Sequence, residues 1–179
     1  PTQPPTPMGN PQTYVDVPSL LTVAGNLYFR YNNFEAFQAP QLIAIAADLN
    51  FYQNYNLNRL HVPVLLAVGE DVDVYNCGSL PSLTMQSLID VGGYISVRSN
   101  GVMEQVDMPQ LLAVGSYFQI YSCASVELVS LEAIQTIGTY FRVYYSGSSG
   151  TRRRLSGGAA GLRVGMPVLR EIGTNVELC

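Results

Sequence analysis

The feature that most constrains this chain is a phrase it repeats. Residues 63–77, PVLLAVGEDVDVYNC, return at residues 109–123 as PQLLAVGSYFQIYSC, with the proline, the LLAVG run, the tyrosine and the cysteine in place. Laid against P-x-L-x-x-[VI]-[GA], the chain yields copies that begin at Pro18, Pro40, Pro63, Gln86, Pro109, Glu132 and Pro167, in steps of 22, 23, 23, 23, 23 and 35 residues. A coil of constant length that cannot bury its apolar face alone becomes stable by stacking on its neighbour. Such a chain is a tube of coils, and the long last step marks an insertion.

Within each copy the apolar residues fall into three clusters. The first is Leu20/Val23, Leu42/Ile45, Leu65/Val68, Leu88/Val91, Leu111/Val114, Ile134/Ile137 and Leu169/Ile172. The second alternates as a strand does: Leu27/Phe29, Leu49/Phe51, Val72/Val74, Ile95/Val97, Phe118/Ile120, Phe141/Val143 and Val176/Leu178. The third is Phe34/Phe37, Leu57/Leu60, Leu80/Leu83, Met103/Val106 and Val126/Val129. A small residue follows the first cluster each time, at Ala24, Ala46, Gly69, Gly92, Gly115, Gly138 and Gly173. That suits a corner where a side chain would clash or a positive φ is needed. The expected fold is mainly β: a right-handed parallel β-solenoid of about seven coils, each about 23 residues long, with strands about 4.8 Å apart.

Residues 1–17, which open PTQPPTPMGNPQT, read as a proline-rich extended arm or linker, and residues 18–179 as a single solenoid domain. Residues 146–161, SGSSGTRRRLSGGAAG, interrupt the sixth coil and read as a surface loop; Arg152, Arg153 and Arg154 within it are a candidate processing site or anion contact.

The net charge of −4 comes from 13 acids against nine basic residues, all of them arginine. Three of the nine sit in the loop at 152–154, so the coils lack the basic stripe that a phosphate backbone requires, and nucleic acid is not an expected partner. No apolar stretch approaches the roughly 20 residues of a membrane span.

The central strand and its exit read LYFRYN at 27–32, LNFYQN at 49–54, VDVYNC at 72–77, ISVRSN at 95–100 and FQIYSC at 118–123. This resembles the L-x-L-x-x-[N/C] core of leucine-rich repeats. With the 23-residue step and three short strands per coil, it is most similar to the receptor L-domain branch, found in receptor ectodomains and cell-surface proteins. The resemblance implies an extracellular or cell-surface setting. It also implies that Asn32, Asn54, Cys77, Asn100 and Cys123 form an inward ladder that bonds turn backbone groups. Cys77 and Cys123 stand two coils apart, about 9–10 Å by the strand spacing. A disulfide needs Cα atoms within about 7 Å, so both are expected as buried free thiols. Cys179 is the unpaired remainder.

Signs of catalysis are sparse. The sole histidine, His61, has no ligand-spaced Cys, Asp or Glu beside it and reads as structural. Glu70, Asp71 and Asp73 lack the spacing of a calcium loop, and Asp71 and Asp73 are expected on a solvated outer strand face. Asp48 and Asp71 fall on adjacent coils but without a recognisable cleft. No metal, cofactor or enzymatic activity is expected.

The tyrosines carry the strongest signal. Tyr94, Tyr117 and Tyr140 share one outward column, Tyr52, Tyr75, Tyr121 and Tyr144 another, with Arg30 and Arg98 in the latter and Tyr28 between the two. Eight of twelve tyrosines thus fall on one sheet face. They could form a stabilising ladder, an interface rich in Tyr and Arg, or a surface for stacking sugars. The leading expectation is a non-enzymatic extracellular structural protein that assembles with itself or with matrix and surface proteins. The second is a receptor-like module that binds a glycan or a protein on the tyrosine face.

Overall fold

The structure, a computed structural model, describes residues 13–144 and 163–178. Among these residues every regular element is a strand, and three strands make one coil. Two parallel sheets run the length of the tube, each seven strands deep. One consists of two-residue strands, from Thr22–Val23 to Glu171–Ile172; the other consists of longer strands, from Leu27–Arg30 to Asn175–Leu178. The register follows the sequence repeat: Leu27 pairs with Leu49, then Val72, Ile95, Phe118, Phe141 and Val176 in turn. Seven stacked strands make six full steps, so the chain is a β-solenoid of about six turns.

The third column is divided into a sheet of three strands, Tyr14–Asp16, Ala36–Gln38 and Arg59–His61, and a sheet of four that begins at Ser82–Thr84. A proline explains the break. The amide of Asn58 donates to the Glu35 carbonyl, that of Glu104 to Pro81 and that of Glu127 to Glu104, each at 2.8 Å. Pro81 holds the same place in its own coil and has no N–H to donate to the coil before it.

The three predicted apolar clusters turn inward in the interior coils, while Val176 of the last described strand is 52% exposed. Leu42, Leu65, Leu88, Leu111 and Ile134 are fully buried, as are Phe51, Val74, Val97 and Ile120. A fourth inward row, Ala39, Val62, Met85, Met108 and Leu131, completes the core. Burying one such aliphatic side chain contributes about 1.5–3 kcal/mol. The end coils gain less, since Leu20, Leu27, Leu169 and Ile172 are only partly covered.

The expected start of the solenoid at residue 18 needs correction. Tyr14–Asp16, assigned to the arm, is a strand that pairs in register with Ala36–Gln38, and Val15 and Val17 pack against the core. These two valines occupy the third-cluster and fourth-row places of a coil that starts before its first P-x-L phrase.

The small residues at the first corner serve only one of their two expected purposes. No described glycine has a positive φ. A Cβ at Gly92, Gly115 or Gly138 would instead fall on the carbonyl oxygen of the glycine one coil earlier. Left-handed backbone occurs at the next corner, after the long strand, at Tyr31, Gln53, Asn76, Ser99 and Ser122, with φ between 52° and 58°.

Candidate interaction faces

In-register pairing sets equivalent side chains about 4.8 Å apart, which suits stacked rings. Tyr94, Tyr117 and Tyr140 form one continuous stack, with centroids 4.7 and 4.8 Å apart and planes within 4°. Tyr121 and Tyr144 stack at 5.3 Å, and Tyr52 and Tyr75 pack tilted at 4.8 Å. Arginines lie over three of the rings: Arg142 over Tyr140 at 4.9 Å, Arg98 over Tyr75 at 4.9 Å and Arg30 over Tyr28 at 4.7 Å. The structure therefore brings Tyr28, Tyr52, Tyr75, Tyr94, Tyr117, Tyr121, Tyr140, Tyr144, Arg30 and Arg98 onto one sheet. Tyr31 joins them edge-on to Tyr52 at 5.4 Å and is 70% exposed. Its corner position after the strand hid it from a period-two reading.

Between the tyrosine columns runs a polar row, in which Asp73 departs from expectation. It points out of the tube yet is only 6% exposed, because neighbouring side chains rise above it. Its carboxylate accepts a hydrogen bond from Arg98 at 2.9 Å. Burial raises its pKa, with Arg98 opposing. Asp73 is thus a covered ion-pair partner and not part of a solvated face. Farther along, Arg142 pairs with Glu177 at 2.7 Å, and the Gln119 amide donates to Ser96 at 3.0 Å. Burial and the nearby Asp71 charge push Tyr94 up to about 12, so it presents a neutral phenol at ordinary pH.

The acids weighed as a dyad serve the backbone. The Asn26 side chain accepts the Asp48 amide at 3.0 Å, Asp48 accepts the Asp71 amide at 3.0 Å, and Asp71 accepts the Tyr94 amide at 2.9 Å. His61 ends the strand Arg59–His61, and its carbonyl accepts the Ala39 amide at 3.0 Å.

At the turn after the long strand, Asn54, Cys77, Asn100 and Cys123 bond backbone groups of neighbouring coils, whereas the Asn32 side chain donates to the Arg30 carbonyl of its own coil at 3.0 Å. Asn54 donates to the Phe29 carbonyl at 2.8 Å and accepts the Asn32 amide at 3.0 Å. Asn100 repeats this on Val74 and Cys77, at 2.8 Å each. Cys77 and Cys123 take the same place with sulfur, reaching the carbonyls of Phe51 at 3.7 Å and Val97 at 3.6 Å. Both are free and buried, and burial pushes their thiols up to about 11. Arg152, Arg153, Arg154 and Cys179 lie outside the described residues.

A second outer surface lacked a sequence expectation. Leu21, Ile43, Leu66, Ile89 and Leu112 are each 39–51% exposed and follow one another at the coil step. The signal was present in the aliphatic doublets of the first five copies, Leu20-Leu21 through Leu111-Leu112. An open groove of about 310 Å³ lies along the later coils only, floored by Gly92, Gly115, Gly138 and Gly173, and shares just the coils of Ile89 and Leu112 with this ridge. No family model matches the chain, nor does any curated protein or solved structure.

Proposed function

We propose that this chain is a non-enzymatic structural solenoid of the cell exterior, which works by associating through its outer faces with copies of itself or with matrix proteins. The observation that carries the reading is the closed tyrosine stack, whose rings lie 4.7–4.8 Å apart and nearly parallel. Sugars stack on ring faces, and here both faces of Tyr117 are occupied by other rings, while Tyr140 lies between Tyr117 and Arg142. What remains outward is a row of ring edges and phenol hydroxyls flanked by arginines, the mixture enriched at protein interfaces. The resemblance to receptor L-domains and leucine-rich repeats supports the extracellular setting.

The alternative, a recognition module for a glycan or protein, draws support from the first coil. There Tyr31 is 70% exposed and Tyr28 43%, outside the ring stack of the later coils. Electron microscopy of the purified chain, with light scattering over a concentration series, separates the two. Assemblies of regularly apposed tubes are expected. Dispersed monomers at every concentration, with saturable glycan binding lost in Tyr28→Ala/Tyr31→Ala, would replace the structural reading with recognition.

A further inference from the structure

We infer that the tube joins copies of itself end to end, all in one orientation, so that the last coil of one copy pairs with the first coil of the next and the three strand columns continue across the joint. This rests on the reading that the chain works by association, and it adds the ends of the tube to its outer faces as a contact.

Both ends of the described tube present open strand edges. At one end lie Tyr14–Asp16, Thr22–Val23 and Leu27–Arg30, and at the other Arg163–Gly165, Glu171–Ile172 and Asn175–Leu178. Each end holds one strand from each column, so a copy set one coil step beyond another meets it with neither gap nor overlap. An open edge is a template for pairing with another chain. Three parallel edges on three sides of a tube call for a coil of the same cross-section, which a second copy supplies.

The core rows match across the joint. Val164, Leu169 and Ile172 meet the partner's Val15, the partner's Leu20 and the partner's Val23, all only partly buried in the single tube. Val176, 52% exposed, meets the partner's Leu27. The backbone matches as well. The Leu27 amide donates to the Asp48 carbonyl at 2.7 Å, Leu49 to Asp71 at 2.8 Å and Ile95 to Tyr117 at 2.9 Å. One step farther, the Val176 amide reaches the carbonyl of the partner's Asn26. In the opposite sense, the Ala46 amide donates to the Val23 carbonyl at 2.8 Å and Gly173 to Ile137 at 3.0 Å, so the amide of the partner's Ala24 reaches Ile172. The methyl group of Ala24 is no obstacle, since Ala46 makes the same step onto Ala24 within the chain.

Charge points to a second copy as the occupant. Within the tube Arg98 donates to Asp73 at 2.9 Å, and Arg98 stands on the following coil, two residues beyond the one that pairs with Asp73. Across the joint the partner's Arg30 stands in that same relation to Glu177. Glu177 accepts from Arg142 of the coil before through Oε2 and has a second carboxylate oxygen for Arg30. Arg30 is exposed, and no carboxylate pairs with it among the described residues. A reversed copy would make the edges antiparallel and put the sides of the tube in the opposite order, so it could continue one column at most. The same-direction contact is heterologous and does not close, which makes filaments one tube wide. Each copy adds seven coil steps, about 34 Å.

Electron microscopy and sedimentation of the full chain over a micromolar concentration series test this. Single-tube filaments are expected, with an axial repeat of about 34 Å and a fibre reflection near about 4.8 Å along the filament. Val176→Pro removes the amide offered to the partner's Asn26, and by the repeat that amide faces the next coil, so no bond within the chain is lost. It should raise the concentration at which filaments form about tenfold or more. Arg30→Glu should raise it several-fold, with a difference from the parent that shrinks in about 1 M salt. Its exposed position leaves the urea unfolding midpoint unchanged, so it carries the test even where Val176→Pro folds less well. Filaments of both variants forming as readily as the parent's would overturn the inference. Parent chains that associate only side by side would overturn it and leave the association reading intact, whereas monomers at every concentration would overturn both.

Discussion

At the corner before each long strand the interior coils omit a side chain; at the corner after it they keep an ordinary residue and bend the backbone instead. Gly92, Gly115 and Gly138 have no positive φ and are needed for space, because a Cβ there would strike the carbonyl of the coil below. Tyr31, Gln53, Asn76, Ser99 and Ser122 are left-handed, where a side chain costs about 1–2 kcal/mol. The second corner is followed in every case by Asn or Cys of the turn ladder. Two tight turns are thus built by different means: one by close backbone approach, the other by a strained residue held in place by hydrogen bonds.

The sharpest way to break this comparison is to add a methyl group at the first corner. Gly115→Ala should destabilise the chain by on the order of 3 kcal/mol, read as a lower urea unfolding midpoint. The atoms in its way are backbone atoms of Gly92, held from both sides within the stack. Alanine occupies this place only at Ala24 and Ala46, in the first two coils, where the end of the tube can yield. A Gly115→Ala chain as stable as the parent would mean that the coils slide freely, and the spatial account of the glycine corner would fail.

A smaller loss is expected at the second corner when its ladder is cut. Asn100→Ala leaves the Cys77 amide and the Val74 carbonyl buried without their partner, at about 2 kcal/mol. Asn100→Cys should recover about half of that, because Cys77 and Cys123 already perform this role with longer bonds to sulfur. Equal losses for alanine and cysteine would show that the ladder acts through packing alone.

Much of this architecture was legible because the repeat reports on itself: seven copies of one apolar pattern leave little freedom in which residues face inward. The ladder was also legible, since Asn and Cys recur at one place just after the long strand in five successive coils. The left-handed corner was not, because Tyr, Gln, Asn and Ser share no side-chain property that announces a positive φ. Asp73 was misread for a different reason. The period-two rule gives the direction of its side chain correctly, but its burial comes from side chains on the same outer face. Tyr14–Asp16 was missed because its coil begins before the first P-x-L phrase, and the ridge because each aliphatic doublet was read only for its inward member.

The smallest expected effect has the opposite sign and tests the comparison most directly. Ser99 has φ 55°, and glycine adopts that conformation without the Cβ penalty. Ser99→Gly therefore removes about 1–2 kcal/mol of backbone strain and adds about 0.5–1 kcal/mol of unfolded-state entropy, for a net gain of up to about 1.5 kcal/mol. Ser99→Val should lose stability instead, since a β-branched residue tolerates this region least. One exchange, between glycine and a side chain, would then stabilise at Ser99 and destabilise at Gly115. If Ser99→Gly lowers the unfolding midpoint as far as Gly115→Ala does, the serine side chain is holding the turn, and the ladder is not what keeps the strained residue in place.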